Sequence, residues 1–132
     1  MLAAPVQLLA QPATKVRRIG FVNSSNPATT GTWIKSFTDG LRSHGWIEGQ
    51  NLVLDMRFAD GDPKRITPLL EELLALKPEV LVVGTDLVAK SAQALTTTVP
   101  IVFAIGFNPV GIGVVKSLGR PGGNVTGMSL LA

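Results

Sequence analysis

Apolar side chains fall along this chain in three rhythms. Short unbroken runs stand at 19–22 (IGFV), 80–83 (VLVV) and 101–105 (IVFAI). Runs of this kind mark strands buried on both faces, as in the middle of a parallel sheet. The stretch 51–60 (NLVLDMRFAD) alternates instead. Leu52, Leu54, Met56 and Phe58 share one parity; Val53, Asp55, Arg57 and Ala59 share the other. That alternation predicts a strand with one wet face, at a sheet edge. A fifth strand is expected within 124–131, after the turn-rich Gly119-Arg120-Pro121-Gly122-Gly123.

Helical spacing fills the gaps. Trp33, Ile34, Phe37 and Leu41 form a stripe that Gly45 is suited to stop. Asp62-Pro63 supplies a cap residue and a first-turn proline. Ile66, Leu69, Leu70, Leu73, Leu74 and Leu76 follow on one face, closed by Lys77-Pro78. Leu87, Val88, Ser91, Ala92 and Leu95 predict a third helix. Val110, Val114, Val115 and Leu118 predict a fourth, interrupted by Gly111 and Gly113. Strands and helices thus alternate, and parallel strands with right-handed crossovers are the expected solution. With the alternating second strand at an edge, the order becomes 2-1-3-4-5. This is an α/β, flavodoxin-like, doubly wound parallel sheet.

Composition narrows the function. The 132 residues suit one domain with a real core. The absence of cysteine removes disulfides, thiolate metal sites and thiol nucleophiles. The net charge of +3 resides in Lys15, Arg17 and Arg18; beyond them, basic and acidic residues balance at nine each. Scattered basic residues without any tyrosine argue against nucleic-acid binding. Residues 1–14 (MLAAPVQLLAQPAT) pass from apolar to small and polar, like the back half of a secretory signal. They are set apart from the fold, which is expected to occupy 15–132.

In a doubly wound sheet, ligands dock beyond the carboxyl ends of the strands. The corners expected there are Asn23-Ser24-Ser25-Asn26, Gly84-Thr85-Asp86, Gly106-Phe107-Asn108-Pro109 and Met128-Ser129. They are rich in hydroxyls, amides and glycine. Thr85 or Asp86 is suited to cap the third helix, whose free N–H groups face the same space. Phe107 is suited to be a stacking platform. Enzyme signatures are missing. No GxGxxG follows the first strand, no GxxxxGK[ST] occurs, and Gly127-Met128-Ser129-Leu130-Leu131 lacks the second glycine of a nucleophile elbow. His44 beside Gly45 reads as a helix-terminal residue, and Asp60 with Asp62 offers at most a thin set of metal ligands. No cofactor or metal is expected.

Four markers carry a resemblance: Gly45-Trp46 through Gly49-Gln50-Asn51, Ala59-Asp60-Gly61-Asp62-Pro63, Leu76-Lys77-Pro78-Glu79-Val80, and Ser117-Leu118-Gly119-Arg120-Pro121-Gly122-Gly123-Asn124-Val125-Thr126-Gly127. From about Arg18 to Ala132 the chain resembles the ABC-transporter substrate-binding proteins that include tryptophan- and tyrosine-type binders. The resemblance implies a single lobe of a two-lobed periplasmic receptor, exported, without catalysis. It would capture a small polar metabolite such as an amino acid and deliver it to a membrane permease. Its ligand-facing positions would be Ser24, Ser25, Thr85, Asp86, Phe107, Asn108 and Ser129. Many relatives carry aspartate where Asn108 stands, so ligand preference is expected to differ. The missing second lobe would leave apolar surface, and a homodimer is the expected consequence. The same fold also serves regulatory sensor domains and, with a convergent nucleophile and base, enzymes; no histidine or cysteine lies in the strand-end loops.

Overall fold

The computed structural model describes residues 15–117, 119 and 122–130. The expected export remnant, residues 1–14, lies outside them. Nine elements follow in order: β1 (Arg17–Asn23), α1 (Pro27–Ser43), β2 (Leu52–Phe58), a 3-10 turn (Pro63–Arg65), α2 (Ile66–Ala75), β3 (Val80–Thr85), α3 (Asp86–Gln93), β4 (Ile101–Gly106) and β5 (Val125–Ser129). The five strands form one parallel sheet in the order β2-β1-β3-β4-β5. The alternating strand β2 is at an edge, as its pattern predicts.

Register divides the side chains between two faces. Val22 pairs with Val83, which pairs with Phe103; Leu81 pairs with Ile101, which pairs with Val125. These residues share one core with Ile66, Leu70 and Leu73 of α2 and Val88, Ala89 and Ala92 of α3. Ala89 and Ala92 are fully buried, and their small size lets α3 lie close to the sheet. Phe21 points to the opposite face. There α1 stacks Trp33 and Phe37 on it, with ring centroids 5.3 and 6.0 Å away. Such ring pairs add roughly 0.5–1.5 kcal/mol beyond their burial.

Local chemistry sets the ends. Asn26 caps α1, its Oδ1 accepting from the Thr29 amide at 3.0 Å, and Pro27 takes the first helical position. This Asn-Pro pair starts the helix six residues before its apolar stripe, at Trp33. Gly45 stops it in the left-handed region, at φ +88°. Asp62 caps the 3-10 turn by accepting from the Lys64 amide. Lys77 ends α2 with φ +56°, an uncommon conformation for a residue with a Cβ, ahead of Pro78. On the wet side of α2, Glu72 accepts from Arg57 of β2 at 2.5 Å.

Two expectations fail. The fourth helix does not form across Val110, Val114 and Val115; Leu118 lies outside the described residues. Turns occupy 109–113 instead. The amides of Val114 and Val115 both point at the Pro109 carbonyl, so the chain wraps one acceptor rather than propagating an i→i−4 ladder. Gly113, at φ +83°, turns the backbone left-handed just before these two residues and breaks any helical continuation. Val114 and Val115 still reach the core. In α3, Leu87 belongs to no buried stripe; it is 62% exposed.

Two glycines give opposite predictions. A Cβ on Gly127 would overlap the Phe103 carbonyl oxygen and ring, whereas one on Gly31 in α1 meets nothing within 4 Å. Gly127→Ala should lower unfolding free energy by about 1–3 kcal/mol. Gly31→Ala should raise it by about 0.5–1 kcal/mol. Urea denaturation followed by circular dichroism measures both.

Candidate functional site

Because every strand is parallel, β1, β3, β4 and β5 all deliver their carboxyl ends to one rim. The loop after β1 is pinned first. Asn23 Oδ1 accepts from the Ser25 amide at 2.7 Å. The carbonyls of Asn23, Ser24 and Ser25 accept from the amides of Ala59, Gly61 and Asp60, at 2.9, 2.7 and 3.0 Å. The 59–61 turn after β2 therefore braces the serine loop. Asp60 and Gly61 supply the left-handed conformations, φ 52° and 80°, that fold this turn back. Asn23 also rests on β3: a Cβ at Gly84 would stand 3.1 Å from its Nδ2. Gly84 thus admits a neighbouring side chain to the backbone.

At the end of β3, Thr85 is the cap of α3. Its backbone is extended, and its Oγ1 accepts from the Val88 amide at a long 3.4 Å. Thr85 and Ser24 line one cleft of about 250 Å³ with Gly61, Pro63, Leu87 and Ser91. It carries three hydroxyls beside the apolar Leu87. Neither Ser25, Phe107, Asn108 nor Ser129 lines it. A larger cavity, about 430 Å³, lies at the other end of the sheet among Arg17, Ile19, Leu41, Trp46 and Val80. It is mainly apolar, and none of the rim residues touches it.

Asp86 has a different place from the ligand contact expected of it. It is 1% exposed, and one carboxylate oxygen, Oδ2, accepts from the amides of Phe107 and Asn108 at 2.8 and 2.7 Å. The carboxylate therefore organises the loop after β4. Held there, Phe107 stays 53% exposed. Asn108 is exposed but bonds within its own loop, its Oδ1 accepting from the Gly111 amide and its carbonyl from the Ile112 amide. A Cβ on Gly111 would displace the Asn108 side chain amide from this position. Ser129 is half-buried and pairs in register with Gly106, whose carbonyl accepts from Leu130.

The remaining polar candidates are engaged elsewhere. His44 caps the end of α1, and its Nδ1 bonds the Gly40 carbonyl at 2.9 Å. Asp60 pairs with Arg65 at 2.9 Å, and Asp62 is the 3-10 cap. Among the described residues no three metal-ligating side chains converge. Sequence reasoning passed over Asn23 as a site residue and missed Ser91. The asparagine that closes the first strand was the available signal for one; Ser91 had none beyond its place one turn along the third helix.

Removing the Asp86 carboxylate would strand two loop amides together. Asp86→Ala should destabilise the chain by about 2–4 kcal/mol, and Asp86→Asn, which keeps one acceptor, by roughly half that. Urea midpoints compared with the parent chain decide the order.

Comparison with known proteins adds to this geometry. The sequence profile of the ABC transporter substrate binding proteins matches residues 15–131. A tyrosine-binding protein of Clostridioides difficile is 30% identical over 95 residues, which make up 72% of this chain and 28% of that protein. A conserved domain protein of Vibrio cholerae superposes with a TM-score of 0.81 at 32% identity, covering 87% of this chain and 39% of its own. An ABC domain from Streptococcus pneumonia, solved in complex with L-Trp, gives 0.78 at 26% identity, with 86% and 38% covered. A ligand-free, open substrate-binding protein with adhesive properties from Clostridium difficile gives 0.79 at 25%, with 86% and 39% covered. The chain spans less than two fifths of each of these relatives. With the profile covering nearly all of its length, the chain belongs to the ABC transporter substrate-binding protein family.

Proposed function

We propose that this chain is the first lobe of a solute receptor for an ABC importer, working outside the cytoplasmic membrane. It captures a small polar metabolite of the amino-acid class and does no chemistry on it. The observation that carries this reading is the single rim. There the hydroxyls of Ser24 and Thr85, the exposed Phe107 and the capped starts of α1 and α3 lie at the same ends of parallel strands. Helix starts present unpaired N–H groups and partial positive charge, which suit a carboxylate. Loop hydroxyls suit an ammonium or amide, and Phe107 suits an apolar or aromatic side chain. Asp86 serves indirectly, by fixing the loop that aims Phe107. Support also comes from the relatives, one described as tyrosine-binding and one holding L-Trp.

A lone rim is half a cleft, whereas a binding pocket normally encloses most of its ligand. The second lobe would supply the opposing contacts, and closure of the two about a hinge would present the loaded receptor to the permease. Affinity of this chain alone should therefore be in the millimolar range or weaker. Titration with L-tryptophan and L-tyrosine, followed by amide NMR shifts, tests it. Small, unsaturated shifts confined to residues 24–26, 84–88 and 106–109 are expected. Micromolar saturation, or shifts centred on Arg17, Trp46 and Val80, would contradict the reading.

A further inference from the structure

At the rim, bonds made inside the chain consume acceptors and leave donors. Three asparagines stand there: Asn23 at the end of β1, Asn26 at the start of α1 and Asn108 after β4. Each commits its Oδ1 to a backbone amide close by. Asn23 accepts from Ser25 at 2.7 Å, Asn26 from Thr29 at 3.0 Å and Asn108 from Gly111 at 3.1 Å. A backbone N–H can only donate, so each side chain must turn its oxygen to that partner and leave its Nδ2 unspent. None of the three Nδ2 groups donates to a described residue, and those of the half-buried Asn23 and Asn26 keep contact with solvent. Thr85 repeats the pattern: its Oγ1 accepts from the Val88 amide, which leaves its O–H to donate. The acceptors, by contrast, are engaged. The 59–61 turn holds the carbonyls of Asn23, Ser24 and Ser25, and the amides of Leu130 and Ile112 hold those of Gly106 and Asn108. The Asp86 carboxylate meets two amides, Asp60 pairs with Arg65, and Asp62 caps the 3-10 turn. Among the described residues, each carboxylate beside the rim is therefore engaged within the chain.

We propose that this rim takes the anionic end of its solute, a carboxylate, and offers no charge partner to an ammonium. The assignment rests on the capture role proposed above and adds which end of the solute this lobe holds. An ionised carboxylate only accepts, and it accepts from several donors at once, so it complements a ledge of side-chain amides and hydroxyls. Bonds to an ionised acceptor are also stronger than neutral ones. The hydroxyls of Ser24 and Thr85 can accept from an ammonium, but they carry no charge to balance it. The ammonium of an amino acid would then be balanced by groups outside this lobe. Asn108 is the specificity-determining residue. It follows Phe107 directly, so a solute resting on Phe107 brings its polar end within reach of the Asn108 amide. Aspartate at 108 would keep the bond to Gly111 and put a negative oxygen where the free donor stands.

Indolepropionate, tryptamine and L-tryptophan share one ring system and differ in their charged groups. Each is titrated into the isotope-labelled 132-residue chain. The asparagine side-chain NH2 signals are followed by NMR together with the backbone amides of 24–26, 84–88 and 106–109. Indolepropionate should shift these signals at least as far as L-tryptophan at equal concentration, and tryptamine about fivefold less. Asn108→Asp should move the balance the other way, weakening indolepropionate and favouring tryptamine by roughly fivefold each. Gln50→Glu, the same change of charge at the amino end of the sheet, should alter neither. Tryptamine shifts as large as those of indolepropionate, or an unchanged balance in Asn108→Asp, would overturn the assignment and leave the capture role standing. Rim signals unmoved by all three compounds would overturn the assignment and the capture role together.

Discussion

The parallel pairing of β1 with β3 is the constraint on which the molecule depends. Ile19, Gly20, Phe21 and Val22 stand in register with Val80, Leu81, Val82 and Val83. A parallel pair cannot be closed by a tight turn, so the chain must return through a long crossover, helical after β1, β2 and β3 and built of turns after β4. Once that return is made each time on the same principle, every strand ends at the same rim. The close spacing of Ser24, Thr85 and the start of the Phe107 loop is a consequence of direction, before any particular side chain is considered. Gly20 shows how tightly the pairing is packed: a Cβ there would stand 3.1 Å from the Leu81 side chain.

What the rim adds is local bracing. Polar corners at strand ends are common and often do nothing but cap helices. Here the caps are connected. Asn23 holds the serine loop and lies on Gly84; Thr85 starts α3; Asp86, one residue on, reaches across to two amides beyond β4. A single buried carboxylate thereby links the ends of β3 and β4. Because its partners are backbone amides, it fixes the path of the loop and leaves Phe107 outward. Arrangement of this kind favours capture, in which a surface must be ready before the solute arrives.

Much of the fold was legible because periodicity reports burial directly. Short, β-branched runs such as VLVV marked interior strands, and the alternation through Leu52 to Phe58 marked an edge. The fourth helix misled because Val110, Val114 and Val115 are apolar at helical spacing and are indeed buried at 114 and 115. Burial at that spacing does not require helix, and Gly113 settles the backbone otherwise. Leu87 misled for the reverse reason: an apolar residue at helical spacing that faces a cleft. The rim was legible as a set of corners, but not its internal wiring. Asp86 in a sequence looks the same whether it meets a ligand or an amide twenty-one residues away, since long-range hydrogen bonds leave no periodic trace.

The central claim is that four strand ends share one rim in solution. The chain lacks cysteine, so Ser24→Cys and Asn108→Cys can be spin-labelled together without background. β1 and β4 are separated by β3 alone, which puts the two sites about 10–15 Å apart at the backbone. Continuous-wave EPR at low temperature should therefore show clear dipolar broadening in the double variant. A spectrum equal to the sum of the two singly labelled proteins would mean that the sites lie well beyond 20 Å, and the account of the rim would fail with it.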